Sequence, residues 1–284
     1  MLDFDEQLQI LLEAAYKEDL GEGDHSALSC IPADAKDEAV LKIKEDGIIA
    51  GVKVAETIIT IRAPNARFIF YKEDGERMRA GEKAFEVKAS VHTLLQAERL
   101  VLNCMQRMSG IATLTRKYVD KLEGFKTKIL DTRKTTPNFR LLEKEAVRIG
   151  GALNHRFGLF DSILLKDNHI DYCGSIGKAI EKASEYVRNI RPGLSIEIET
   201  RNLEEVRQVL AAGRVNRIML DNFTPDQLGE AIKIIDHSFE TEASGGINLD
   251  NLIAYAQTGV DFISVGALIH QARSLDMSMK AYKI

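Results

Sequence analysis

The chain has 284 residues, 45% hydrophobic and 29% charged, with a formal net charge of −5: a globular composition, long enough for about two domains or one large α/β barrel with an appendage. The acidic balance, the absence of tryptophan and an aromatic content of 6% argue against a nucleic-acid surface or a base- or sugar-stacking platform. No stretch approaches the ~18 apolar residues of a membrane span, the acidic start Asp3–Glu6 lacks the charge of a signal or transit peptide, and Cys30, Cys104 and Cys173 have neither zinc nor disulfide-framework spacing, so a reduced, cytoplasmic protein is expected.

Residues 3–18 place Phe4, Leu8, Leu11, Leu12 and Ala15 at helical spacing, which predicts an amphipathic helix. "EDLGEGDHS" (18–26) comes next as a loop. Strands are predicted at 39–51, 66–71 and 84–89, with a helix at 52–62 and a solvated hairpin or loop at 71–83. Residues 91–122 read as helix, with Ser109-Gly110 as a candidate break. Beyond residue 126 apolar strands alternate with amphipathic helices. The strands are 127–130, 162–165, 194–198, 216–220, 238–243 and 261–265; the helices lie near 138–150, 175–190, 202–212, 225–236 and 248–258. Such alternation means a parallel sheet built from crossovers, and its regular spacing favours a barrel. "ALNHRF" (152–157) is a candidate seventh strand. The expected division is a sandwich domain at 1–110, with the tail 271–284 packing on it, and a barrel at 111–270.

Function is best read from the residues just beyond each strand. Asp131-Thr132-Arg133-Lys134 and Lys166-Asp167-Asn168-His169 stand after the first two clear strands, and Glu199, Asp221, Ser244-Gly245-Gly246 and Gly266 after the others. In a parallel α/β barrel these ends share one rim, where active sites form. Between 131 and 169 seven basic residues face five acidic ones, in a protein that is otherwise net acidic. Lys144 and Arg148, beside Glu143 and Glu145, read as a solvated helix face. Arg133, Lys134, Arg156 and Lys166 stand at strand ends or turns, where an anionic ligand needs them.

"EASGGI" and "SVGALIH" place glycine between a strand and a helix, a phosphate-binding arrangement. Glu199 and Asp221 would repel phosphate unless they served Mg²⁺ or sugar hydroxyls. His155 and His270 are site candidates and His169 is an even choice; His25, His92 and His237 read as structural, and Cys104 and Cys173 as packing residues. The pattern points to a phosphorylated sugar and a separate carboxylate-bearing partner.

The motifs "EDLGEGDHS", "ERLVLNCMQRMSGIAT", "DTRKTTP", "GGALNHRFGLFDSILLKDNH", "EIET", "MLDNF", "SGGI" and "TGVDFISVGALIH" run in order from residue 18 to 270. Together they resemble quinolinate phosphoribosyltransferase, also called nicotinate-nucleotide pyrophosphorylase (carboxylating). The resemblance implies an N-terminal α+β open sandwich joined to an incomplete, seven-stranded type of α/β barrel. It also implies at least a homodimer, with Mg²⁺ as cofactor and quinolinate and phosphoribosyl pyrophosphate as substrates. Arg133, His155, Arg156 and Lys166 would hold the quinolinate carboxylates, with Arg99 reaching in from the neighbouring subunit. Lys134, supported by Thr132, would face the pyrophosphate. Glu199 and Asp221 would handle ribose hydroxyls and Mg²⁺. Ser244, Gly245, Gly246, Gly266, Ala267 and His270 would cradle the 5′-phosphate. Asn138-Phe139 and Ser26 depart from the family pattern at positions that touch no expected ligand.

Three rivals frame the expectation. A Schiff-base barrel lyase would use Lys166, which neighbouring Asp167 would be expected to hold charged. A related phosphoribosyltransferase with a different acceptor would not need the cations assigned to quinolinate. A non-catalytic phosphate-binding module leaves Glu199 and Asp221 unexplained.

Overall fold

The computed structural model describes residues 3–281. In chain order it contains α1 (Phe4–Leu20), α2 (His25–Cys30), β1 (Lys36–Ile43), β2 (Gly47–Ile48), α3 (Val52–Arg62), β3 (Arg67–Phe70), β4 (Arg77–Met78), β5 (Lys83–Ser90) and α4 (Val91–Lys121). Next come β6 (Lys128–Leu130), α5 (Arg140–Gly150), β7 (Ile163–Leu165), α6 (Asp167–Cys173), α7 (Ile176–Asn189), β8 (Ile196–Thr200) and α8 (Leu203–Ala212). The last elements are β9 (Arg217–Asp221), α9 (Pro225–Ile235), β10 (Glu240–Ser244), α10 (Leu252–Ala256), β11 (Phe262–Ser264), α11 (Ala267–His270) and β12 (Met277–Ala281).

The chain divides into two compact units that interleave along the sequence. The first takes the chain up to Arg116, Thr135–Gly151 and the residues from Leu268 on; the second takes Lys117–Lys134 and Ala152–Ala267. In the first unit an antiparallel sheet of order β12-β1-β5-β3 forms the framework. Met277 to Ala281 pair with Ile43 to Ala39, so the tail is a sheet strand as far as it is described; residues 282–284 lie outside the described residues.

Ser109-Gly110 does not break α4. Ser109 Oγ accepts a hydrogen bond from Ala50 N–H at 2.9 Å, and a Cβ on Gly110 would lie 1.9 Å from Arg273 O, so these small residues serve a close approach. The solvated-face reading of Glu143 and Lys144 is corrected as well: both are buried, whereas Arg148 and Glu145 form the expected surface pair. Glu143 tolerates burial because it is saturated. It accepts from Arg107 Nε at 3.0 Å and Nη2 at 2.8 Å, from Thr136 N–H at 2.8 Å and from Thr136 Oγ1 at 3.0 Å. Arg107 also donates to Ile269 O at 2.9 Å, tying its helix to α11.

The second unit is built on six parallel strands in the order β6-β11-β10-β9-β8-β7. "ALNHRF" contributes one parallel bridge, Leu130 to Leu153, beside β6. The sheet is curled. His155 lies two residues beyond that bridge, five strand positions from β8, which in a flat sheet at ~4.8 Å per strand is about 24 Å; yet its Nε2 is 3.0 Å from Glu197 of β8. The strands therefore wrap around an interior as an incomplete α/β barrel.

Registered neighbours share a face. Ile196, Ile198, Ile218, Leu220, Ala243 and Ile263 form one buried apolar face. Glu197, Glu199, Arg217, Met219, Asp221, Glu240, Glu242, Ser244 and Phe262 form the other, which the contacts of His155 identify as the inner one.

Candidate active site

Parallel register brings the strand ends together. Ser244 aligns with Asp221, Ile198 with Leu165 and Ser264 with Leu130, so Asp131, Lys166, Glu199, Asp221, Ser244 and Gly266 all stand at the C-terminal end of the sheet. Lys166 Nζ is 3.7 Å from Glu199 Oε2. Burial first, and then the charge of Asp221, raise the Glu199 pKa above the ordinary carboxylate range, against the pull of Lys166. Two carboxylates with a half-exposed lysine beside them form a donor set suited to a cation or to sugar hydroxyls. Asn222, with φ of 58°, donates from its amide to Asp221 Oδ2 at 2.6 Å. The same side chain packs on Gly245: a Cβ there would lie 2.2 Å from Asn222 Oδ1. Gly245 (φ 97°) and Gly246 (φ 64°) both occupy conformations open to glycine, which turns the main chain after β10 sharply at the rim.

The cationic wall lies just after β6. Thr132 Oγ1 accepts from Lys134 N–H at 3.1 Å and fixes the turn that exposes Lys134. Arg133 lies close enough to Arg156 that, after burial, its charge is the largest influence lowering the Arg156 pKa. Two neighbouring cations, one of them anchored to Ser162 O at 3.2 Å, suit a dicarboxylate. Asp161 shapes the adjoining turn by accepting from Phe157 N–H at 2.6 Å and Gly158 N–H at 2.8 Å.

His155 serves this wall from the interior. Its side chain is only 8% exposed, with Nε2 3.0 Å from Glu197 and 3.5 Å from Glu242. Its Nδ1 accepts from Arg156 N–H at 2.8 Å, and its own N–H donates to Asp131 at 2.8 Å. Strand alternation alone does not single out Glu197, Glu242 or Arg217. Arg217 reaches Glu242 and Glu240, each at 3.0 Å, and stacks 4.0 Å over the Phe262 ring. Burial and the charge of Glu197 push the Glu242 carboxyl up to about 7. His155, Glu197 and Glu242 bring ligand atoms within 4.8 Å of one another, but Arg217 already supplies positive charge there, so the group is an ion-pair network rather than a metal centre.

His169 Nδ1 accepts from Lys166 N–H at 2.9 Å and so caps α6, a structural duty. His92 is likewise structural, within 3.1 Å of Ile31 O. Ala267 opens α11 directly after Gly266, and His270 lies one turn on. Arg99 stands exposed on α4, in the first unit.

Residues 111–280 match the family model described as quinolinate phosphoribosyl transferase, C-terminal domain, and residues 24–109 match its N-terminal domain. The chain is 44% identical over 273 residues to a Bacillus subtilis protein named probable nicotinate-nucleotide pyrophosphorylase (carboxylating), covering 96% of this chain and 93% of that one. It is 42% identical over 288 residues to a Nicotiana tabacum protein named quinolinate phosphoribosyltransferase (decarboxylating) 2b, mitochondrial, covering 96% and 82%. Among solved structures, NadC from Streptococcus pyogenes superposes with a TM-score of 0.90 at 39% identity, covering 98% of each chain.

Proposed function

The chain belongs to the quinolinate phosphoribosyltransferase family, and from that premise we propose how its own residues carry the reaction. The enzyme is a pentosyltransferase of NAD biosynthesis. It transfers the phosphoribosyl group of phosphoribosyl pyrophosphate to quinolinate and releases pyrophosphate and CO₂ to give nicotinate mononucleotide.

Arg133, Arg156 and Lys166 hold the quinolinate carboxylates, and the observation that carries this assignment is their shared place just past β6, the Leu130–Leu153 bridge and β7, at one end of the parallel sheet. His155 supports them by fixing the backbone at Arg156 rather than as a free donor. Arg99, exposed on α4, completes the pocket of a neighbouring subunit in a homodimer. Lys134, presented by Thr132, faces the pyrophosphate. Ser244, Gly245, Gly246, Gly266, Ala267 and His270 receive the 5′-phosphate on amide-lined turns. Glu199 and Asp221 take the ribose hydroxyls and would hold Mg²⁺, which when bound neutralises part of the pyrophosphate charge. A reducing compartment such as the cytoplasm suits the three unpaired cysteines.

As the C1–pyrophosphate bond breaks, positive charge grows on the sugar and negative charge on the leaving group. Glu199 and Asp221 stabilise the first and Lys134 the second, in geometry set before the reaction begins. The pyridine nitrogen bonds to C1 and becomes cationic. The adjacent carboxylate then leaves as CO₂, its bonding electrons remain on the ring carbon beside that nitrogen, and a proton replaces it. No covalent enzyme intermediate is needed, and the ammonium of Lys166 is engaged by Glu199.

Incubation with Mg²⁺, quinolinate and phosphoribosyl pyrophosphate is expected to yield CO₂ and nicotinate mononucleotide in equal amounts. Turnover with another acceptor and none with quinolinate overturns the assignment.

A further inference from the structure

Parallel α/β barrels usually fill their interior layers with Val, Ile and Leu. Here the layer beneath the rim holds Glu197, Arg217 and Glu242, with Glu242 fully buried. Apolar residues of similar volume would stabilise such a core as well or better, so three interior ionisable groups call for another explanation.

Their contacts supply one. Arg217 Nη1 lies 3.0 Å from Glu242 Oε2, and the same oxygen lies 3.5 Å from His155 Nε2. Glu197 approaches that ring nitrogen from β8 at 3.0 Å. With Nε2 at ion-pair distance from carboxylates of two strands, Nδ1 faces the chain and accepts the N–H of Arg156. The network thus ends on the backbone of an arginine that must be held near a second arginine before any anion arrives. Glu197 also acts at a distance: its charge offsets the effect of Arg133 on the Arg156 guanidinium.

We infer that Glu197, Glu242 and Arg217 are positioning residues that act through His155 to hold Arg156 in place for the acceptor's carboxylates. The inference rests on the acceptor site proposed above. It predicts a selective defect: loss of the network loosens the acceptor arginine and leaves the phosphate loops after β10 and β11 in place.

The test compares the whole enzyme with Glu242→Gln, Glu197→Gln and Arg217→Lys, and with Leu220→Ala on the apolar face as a stability control. Steady-state KM for each substrate, kcat, thermal unfolding, and calorimetric binding of quinolinate alone are measured. KM and Kd for quinolinate are expected to rise by about tenfold or more in the two Gln variants. KM for phosphoribosyl pyrophosphate and kcat at saturation should stay within about threefold, and Arg217→Lys should show a smaller rise because it keeps the charge. Leu220→Ala should lower the melting temperature with both KM values unchanged. Quinolinate binding within about twofold of the unmodified protein in both Gln variants overturns the inference, as does an equal rise in both KM values tracking lost stability. If the unmodified protein neither binds nor converts quinolinate, the acceptor-site reading itself fails, a result distinct from either.

Discussion

The two faces of the six-stranded sheet are made from the same strands and bury themselves in opposite ways. Outward, Ile196, Ile198, Ile218, Leu220 and Ile263 pack as ordinary apolar surface. Inward, Glu197, Glu199, Arg217, Asp221 and Glu242 alternate with them, and ion pairs join the apolar contacts of Met219 and Phe262. The outer face supplies stability. The inner face is graded along the strands: a closed ion-pair network lies below, and at the C-terminal ends the charges open toward ligand. Buried ionisable groups in a barrel therefore map where the protein has exchanged packing energy for geometry.

Four changes break or sharpen that contrast. The largest is on the inner face. Arg217→Ala leaves Glu242 buried against Glu197 without its cation, and ~3–5 kcal/mol of unfolding free energy should be lost in denaturant titration. Pairing Arg217→Met with Glu242→Leu should recover much of that loss while acceptor binding stays impaired. At the rim, Arg133→Lys keeps charge but loses the planar fork. The kcat/KM for quinolinate should fall by more than about tenfold, at least ~1.4 kcal/mol, with the melting temperature unchanged. On the outer face, Ile218→Val removes one buried methylene and should cost only ~0.5–1.5 kcal/mol of stability, with both KM values unaltered.

The inner face also predicts a pH drift. Glu242 keeps its proton to about 7 when folded, whereas the unfolded group loses it near 4.5. The native state then binds more protons across that window, so this group's contribution to stability is full below 4.5, declines as pH rises to about 7 and levels off above. The unfolding midpoint of the unmodified protein should fall relative to that of Glu242→Gln across that window, and the two should run parallel above it. Midpoints measured at several pH values check this.

The contrast also explains how much of the molecule is legible in its sequence. Long helices and the six parallel strands are legible because apolar residues recur at 3.6 or 2 positions; the strand expected at 216–220 forms at Arg217–Asp221. Rim residues are legible because strand ends fall in phase with polar and glycine residues. Strand alternation by itself describes a half-buried sheet, so Glu197, Arg217 and Glu242 look like its wet side. Only curling of the sheet, a non-local event, places them inside with His155. Glu143 and Lys144 look solvated for a similar reason, because the partners of Glu143, Arg107 and Thr136, lie outside its helix. The short helices α2, α6 and α11 carry too few residues for a periodic signal, and the Met-Ser-Met-Lys-Ala run of β12 is a weak strand pattern made firm by its pairing with β1.

The central claim, that the inner face ends in a two-anion pocket, is tested most directly by a crystal structure of the protein with quinolinate. The carboxylates are expected within hydrogen-bonding reach of Arg133 and Arg156, at the C-terminal ends of the parallel strands. Quinolinate seated away from both arginines would contradict that claim.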